Sequence, residues 1–210
     1  MKKLFTVLSL AVLLGVTVPV SAAKYTIDEY LKIREENFKN NEEVELFTGE
    51  WIVGEDINPG RYVVSVESGS GNFFVYDEND SPIVNEILGT NEIGGFDIET
   101  VTIDLNEGDK IEISGLNEVM FTPYETKFLE DEITTGMWVV GADIKPGKYI
   151  ATAPEGESGN LMVFDENGLP VTNEIIGVND SFNMGVEKVQ LKLQENQVII
   201  ISGLSKINIK

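Results

Sequence analysis

The chain has 210 residues, 42% of them hydrophobic, and its 15 basic against 36 acidic side chains give a formal charge of −21. The apolar share is that of a globular chain of one or two domains, not a disordered one. With no Cys and no His, disulfides, zinc–thiolate sites and every Ser-His-Asp or Cys-His mechanism are excluded, and a charge of this sign argues against nucleic acid, an anionic membrane or charge-driven adhesion to teichoic acids.

The N-terminus reads as an address. Lys2 and Lys3 form a short basic region, and Leu4 to Val18 is almost wholly apolar. Pro19 breaks the run, and Val20, Ser21 and Ala22 carry the residues a signal peptidase reads. Residues 1–22 are expected to be a secretory signal peptide, and the apolar run is short for a membrane span. The expected location is therefore extracellular, either free or cell-wall associated, with no membrane contact after cleavage.

A short helix is expected next, within an N-terminal segment of residues 23–47. Thr26 and Glu29 have the spacing of a capping box. Ile27, Tyr30, Leu31, Arg34 and Phe38 then follow helical spacing as a thin stripe, which predicts a helix over 27–39. It either covers an edge of the following domain or binds a partner.

The remainder repeats itself. Gly49, Trp51, Val53, Gly54, Asp56, Ile57, Pro59, Gly60 and Tyr62 recur 87 residues on, as Gly136, Trp138, Val140, Gly141, Asp143, Ile144, Pro146, Gly147 and Tyr149. After a one-residue insertion the offset is 88. Asn85, Glu86, Ile87 and Gly89 then match Asn173, Glu174, Ile175 and Gly177, and Ile113 to Leu116 match Ile201 to Leu204. Such a period predicts two homologous domains, over 48–122 and 135–210, joined by a linker over 123–134 that packs partly on a domain through Tyr124, Phe128 and Leu129.

Each repeat reads as strand and turn. In the first, strands are expected over 51–53, 61–66, 73–76, 83–88, 101–105, 110–114 and 119–121, all short and rich in β-branched and aromatic residues. Val101, Ile103 and Leu105 alternate with polar residues, as in a half-buried strand, and Val189, Leu191 and Leu193 do the same. Asn106 to Asp109 is a hairpin turn, and Asn58 to Arg61 has the composition of a type II turn. The fold class expected is mainly β: two tandem, homologous, small antiparallel β-sandwich domains, jelly-roll-like, preceded by a short helix. Cores of that size are marginal alone, so the two domains are expected to touch.

The pattern G-x-W-x-V-G-x-D-I-x-P-G-x-Y, with the N-E-I-x-G segment and the I-S-G-L strand, resembles a module of uncharacterised secreted proteins and lipoproteins of Gram-positive bacteria. The resemblance covers both repeats. It implies a secreted β-module and no particular activity. Strand count also gives a looser likeness to prepeptidase C-terminal and carbohydrate-binding-like β-sandwiches.

Three sets of residues are candidates for chemistry. Trp51, Trp138, Tyr62 and Tyr149 are matched aromatics that either fill the core or stack on sugar faces. Asp77, Asp80 and Asp165 lie in matched acidic turns, where they either bond their own backbone or hold calcium; beyond calcium, no cofactor is expected. Glu86 and Glu174 offer carboxylates for glycoside hydrolysis, although duplicated motifs speak for structure or valency over one catalytic centre. Gly54, Asp56, Pro59, Gly60 and their counterparts Gly141, Asp143, Pro146 and Gly147 are expected to shape the loop of the motif. The functional expectation is a non-catalytic binding or surface-associated protein whose partner is an extracellular glycan or protein. The alternatives are a calcium-stabilised structural module and a carboxylate-dependent polysaccharide hydrolase.

Overall fold

The computed structural model describes residues 25–90, 97–179 and 185–210. The signal peptide expected over 1–22 lies outside them. Among the described residues no helix is long and apolar enough to cross a membrane.

Helix α1 spans Ile27–Asn40 and starts on the expected capping box. Thr26 Oγ1 accepts the Glu29 N–H at 3.3 Å, and Glu29 Oε2 accepts the Thr26 N–H at 2.9 Å. Its buried residues are Tyr30 and Arg34, so the stripe points a guanidinium into the protein.

Among the described residues twelve strands follow. β1 (Val44–Ile52), β2 (Gly60–Ser65), β3 (Ser70–Tyr76), β4 (Pro82–Gly89), β5 (Thr100–Leu105) and β6 (Lys110–Pro123) make the first half. β7 (Glu132–Val139), β8 (Gly147–Thr152), β9 (Ser158–Phe164), β10 (Pro170–Gly177), β11 (Val189–Leu193) and β12 (Val198–Ile209) make the second. In the first half β1 pairs with β6, β2 with β5 and β6, and β3 with β4 and β6, all antiparallel. In the second half β7 pairs with β12, β8 with β11 and β12, and β9 with β10 and β12. The same five pairings are thus made twice, and one parallel bridge from Thr102 of β5 to Gly136 of β7 joins them into a single twelve-stranded sheet.

The structure differs from the sequence reading at four places. The strands expected over 110–114 and 119–121 are one strand, because Gly115 at φ +79° bends β6 while its pairing with β1 resumes beyond a register shift. Lys110 to Ser114 then pair with β3, and Met120 to Pro123 with β2. β1 begins at Val44, before the expected domain start, and β7 begins at Glu132, inside the expected linker. The type II turn expected at Asn58 to Arg61 is not formed: Gly60 has φ +159°, which is extended, and opens β2. The reversal occurs at Gly54 instead, whose φ of +96° suits glycine.

Among the described residues two hydrophobic cores form. One lies within the second half and contains Trp138, Ile144, Leu161 and Ile207. The other contains Tyr62, Phe73, Ile103 and Phe121 of the first half, but also Met137, Val139, Phe164, Val198 and Ile200 of the second. These five lie on β7, β9 and β12, on the opposite face from Trp138, Leu161, Val163, Ile199 and Ile201. The sheet of the second half therefore has two apolar faces, and its outer one completes the core of the first half.

Candidate functional site

The motif loop is built identically in both halves. Asp56 Oδ2 accepts the Ile52 N–H at 2.8 Å, and Asp143 Oδ2 accepts the Val139 N–H at 2.8 Å. Gly54 and Gly141 donate their N–H groups to the Ile57 and Ile144 carbonyls. The Trp51 and Trp138 indoles donate to the carbonyls of Phe47 and Thr134, and the Tyr62 and Tyr149 hydroxyls to those of Asn58 and Lys145. In both copies, then, the motif's aspartate, tryptophan and tyrosine all bond to nearby backbone. Pro59 and Pro146 lead into β2 and β8, which begin at Gly60 and Gly147.

Two aromatics offered as ligand-stacking residues are thereby corrected. Trp138 and Tyr62 are fully buried and reach no surface. Trp51 is half-buried beside Gly49, and Tyr149 is half-buried in a groove described below.

The acidic turns use their carboxylates locally. Asp77 Oδ1 accepts the N–H groups of Asn79 and Ser81, and Asp165 Oδ1 those of Asn167 and Leu169. Backbone donors hold the Asp165 carboxyl below its ordinary range. Asp80 takes the left-handed place that Gly168 takes in the second turn, and its carboxylate lies 3.4 Å from Lys110. Among the described residues no group of three acidic side chains is placed to hold a metal ion.

Sequence reasoning missed a buried ionic network. Arg34 of α1, Arg61 of β2, Asp104 of β5 and Asp143 of the loop after β7 form a buried network. Arg34 Nη2 lies 2.6 Å from Asp104 and its Nη1 2.8 Å from Asp143; Arg61 Nη1 lies 2.5 Å from Asp104 and its Nη2 3.4 Å from Asp143. Tyr30 donates its hydroxyl to Asp104 at 2.9 Å. Arg61 also stacks over Trp138 at 4.8 Å and donates to the Met137 carbonyl. Burial alone would raise the Asp104 pKa, but Arg34 and Arg61 outweigh it and hold the carboxyl below its ordinary range. Two cations facing two anions leave no net buried charge. Arg34 in an apolar stripe was the one signal in the sequence.

The network seals the outer face of β2 and β5. Arg61, Thr102 and Asp104 project there and are buried under α1 and the β7 loop. β5 is therefore buried on both faces, whereas β11, its counterpart, alternates between buried and exposed residues. In the second half the places of Arg61, Thr102 and Asp104 are held by Lys148, Gln190 and Lys192, all exposed. Together with Tyr149, Ile150 and Lys210 they line an open groove of about 600 Å³. Among the described residues Lys148, Lys188 and Lys192 form no ion pair. Beyond β11 a second hollow of about 460 Å³ lies between the edges of β10 and β11, lined by Val171, Glu174, Val186, Lys188 and Gln190 among others.

Glu86 and Glu174 have parted in role. Glu86 is buried and accepts the Gly203 N–H of β12 at 3.2 Å, and burial pushes its pKa up to about 7. Glu174 is exposed in the hollow beside β11.

No protein-family model matches the chain, and no curated protein matches it.

Proposed function

We propose that this is an extracellular, non-catalytic binding protein of two tandem, jelly-roll-like β-sandwich modules, in which the second module carries the binding surface. One observation carries the reading. The face sealed in the first half by α1 and four buried charges is open in the second half, where it presents Lys148, Lys192, Ile150 and Tyr149 around a groove. The net charge of −21 opposes a polyanion at long range, but at this face the unpaired lysines beside an apolar patch suit an acidic macromolecular surface, and lysine stems cover apolar area while their ammonium groups stay solvated. Signal-like residues at the N-terminus support export, and the motif's resemblance to secreted Gram-positive modules agrees with it. The matched aromatics and acidic turns support neither a sugar-stacking pair nor a calcium role, because Trp138 and Tyr62 are buried, Asp77 and Asp165 serve the local backbone and Asp80 faces Lys110. Burial of Glu86 against Gly203 weighs against a hydrolase that pairs it with Glu174.

The test is co-sedimentation of the chain from Ala23 with peptidoglycan sacculi and insoluble acidic polysaccharides. Retention is expected to be lost in Lys148→Glu/Lys192→Glu and kept in Lys32→Glu, which changes an exposed lysine of α1. Retention no greater than that of an unrelated acidic protein, on every material, would overturn a polymer ligand.

A further inference from the structure

The contact between the two halves has an unused counterpart on each side of the molecule. Within the chain, the outer face of β7, β9 and β12 closes the space between the edges of β4 and β5. Three contacts fix it. Gly136 lies so close against Thr102 that a Cβ there would collide with the Thr102 carbonyl oxygen. Glu86 accepts the Gly203 N–H. Arg61 lies 3.4 Å from Asp143 and over the Trp138 ring.

In the second half the receiving side is empty. Gln190 and Glu174 stand where Thr102 and Glu86 stand in the first, at the open hollow between β10 and β11, and Lys148 stands where Arg61 does, in the adjoining groove over β8 and β11 that Gln190 also lines. Val171 and Val186 are 54% and 42% exposed there. The inserting side is equally unused in the first half. Gly49, Gly115, Asp56 and Trp51 match Gly136, Gly203, Asp143 and Trp138, and Asp56 and Trp51 are exposed or half-exposed. The atoms nearest a Cβ at Gly49 belong only to the indole of Trp51, at 3.6 Å and beyond.

We propose that the open side of the second half receives the β1–β6 face of another copy of this chain, joining copies head to tail as the two halves are joined within one copy. This rests on the reading that the open side is the binding surface, and it names the occupant. Each fixing contact keeps its chemistry: Gln190 against Gly49, Glu174 to the Gly115 N–H, and Lys148 to Asp56 and Trp51. Charge also matches. Where the internal contact buries Met137, Val198 and Ile200, the first half presents Glu50, Glu112 and a Lys110 that Asp80 pairs, and the receiving side carries Lys148, Lys188 and Lys192. An apolar seal inside the chain is thus replaced by a polar, salt-sensitive one between chains. The contact is heterologous, so it extends into a row or closes into a ring and does not stop at a twofold dimer.

Sedimentation velocity on the chain from Ala23 tests this, up to about 1 mM protein, where weak contacts become populated. The weight-average mass is expected to rise past two chains with concentration and to fall with added salt. Glu50→Lys/Glu112→Lys reverses one face and Lys148→Glu/Lys192→Glu the other. Each variant alone is expected to stay at the mass of one chain, and an equimolar mixture to associate again, since each variant keeps the wild-type face that the other has lost and the two reversed faces also complement each other. A wild type fixed at one chain throughout, or a dimer that both variants still form, would overturn the proposal. A one-chain wild type that is still retained on acidic polymer removes self-association and leaves the binding reading standing.

Discussion

Removing Arg34 should cost far more than an ordinary helix substitution. Its side chain is 3% exposed and makes four hydrogen bonds: Nε to Asp104 at 3.0 Å, Nη2 to Asp104 at 2.6 Å and to the Tyr30 hydroxyl at 2.7 Å, and Nη1 to Asp143 at 2.8 Å. In Arg34→Met two buried carboxylates share one guanidinium, and the network carries an uncompensated negative charge. Breaking a buried pair in this way costs about 3–5 kcal/mol, a large part of the roughly 5–15 kcal/mol that holds a typical protein folded. Removing the opposing charge as well, in Arg34→Met/Asp104→Asn, leaves Arg61 with Asp143 and restores neutrality. The double variant should therefore lose less than the sum of the singles, with a coupling of about 1–3 kcal/mol. Urea denaturation at pH 7 measures both quantities, and limited trypsinolysis at Lys32 and Lys39 reports whether α1 has come away. A loss under about 1 kcal/mol for Arg34→Met, or strict additivity in the double variant, would refute the claim that charge balance locks the helix between the halves.

Three further outcomes are expected. Glu86 has its folded pKa raised to about 7 by burial, against the donors Ser202 and Gly203. A raised carboxyl gives its full stabilisation below the unfolded value, near 4.5, and loses it as pH rises through 7, a change of about 3 kcal/mol. Denaturation midpoints of the wild type should therefore fall between pH 5 and 7.5. In Glu86→Gln the slope should be shallower, the remainder coming from Asp109, which burial raises to about 6; equal slopes would exclude Glu86 as the cause. Gly136→Ala sets a Cβ against immovable backbone and should lower stability by about 1–3 kcal/mol more than Gly49→Ala, as read from thermal melting. Asp143→Ala should cost about 3–5 kcal/mol because it leaves Arg34 and Arg61 sharing one carboxylate, with a buried positive charge uncompensated, whereas Asp56→Ala loses one exposed backbone bond worth about 1 kcal/mol. Similar losses for the two would refute the asymmetry.

What could be read in the sequence was what is local. Thr26 and Glu29 sit three residues apart, and the capping box follows from that spacing alone. The alternation of Val101, Ile103 and Leu105 placed β5, and the turn at Asn106 to Asp109 closes as expected, with Asp109 accepting the Asn106 N–H. The long-range partners were not legible. Nothing local distinguishes Asp104 from any polar residue on the solvent side of a half-buried strand. Its partners are 70 and 43 residues away, and only the packing of α1 and β7 across β5 makes that side an interior. The extra length of β1 and β6 was hidden for a related reason. Thr48-Gly49 and Ser114-Gly115 look like ends of strands, yet each glycine bends a ladder that continues.

The matched positions show how little sequence change separates a sealed interface from an open one. The backbone of the motif loop is the same in both halves, since Asp56 and Asp143 make the same bond to the chain. What differs is the chemistry one layer out. Arg61 and Asp104 form a pair that tolerates burial because Asp143 and Arg34 complete it; Lys148 and Lys192 in the same places are two like charges, which would repel each other if buried without acids. Likewise Met137, Val198 and Ile200 make the outer face of the second sheet apolar, while Glu50, Lys110 and Glu112 keep the corresponding face of the first sheet wet. Both changes act in the same direction. The apolar outer face and the neutral ionic network meet inside the chain, where they cannot exchange, and the charged faces remain outside, where a contact has to form and break.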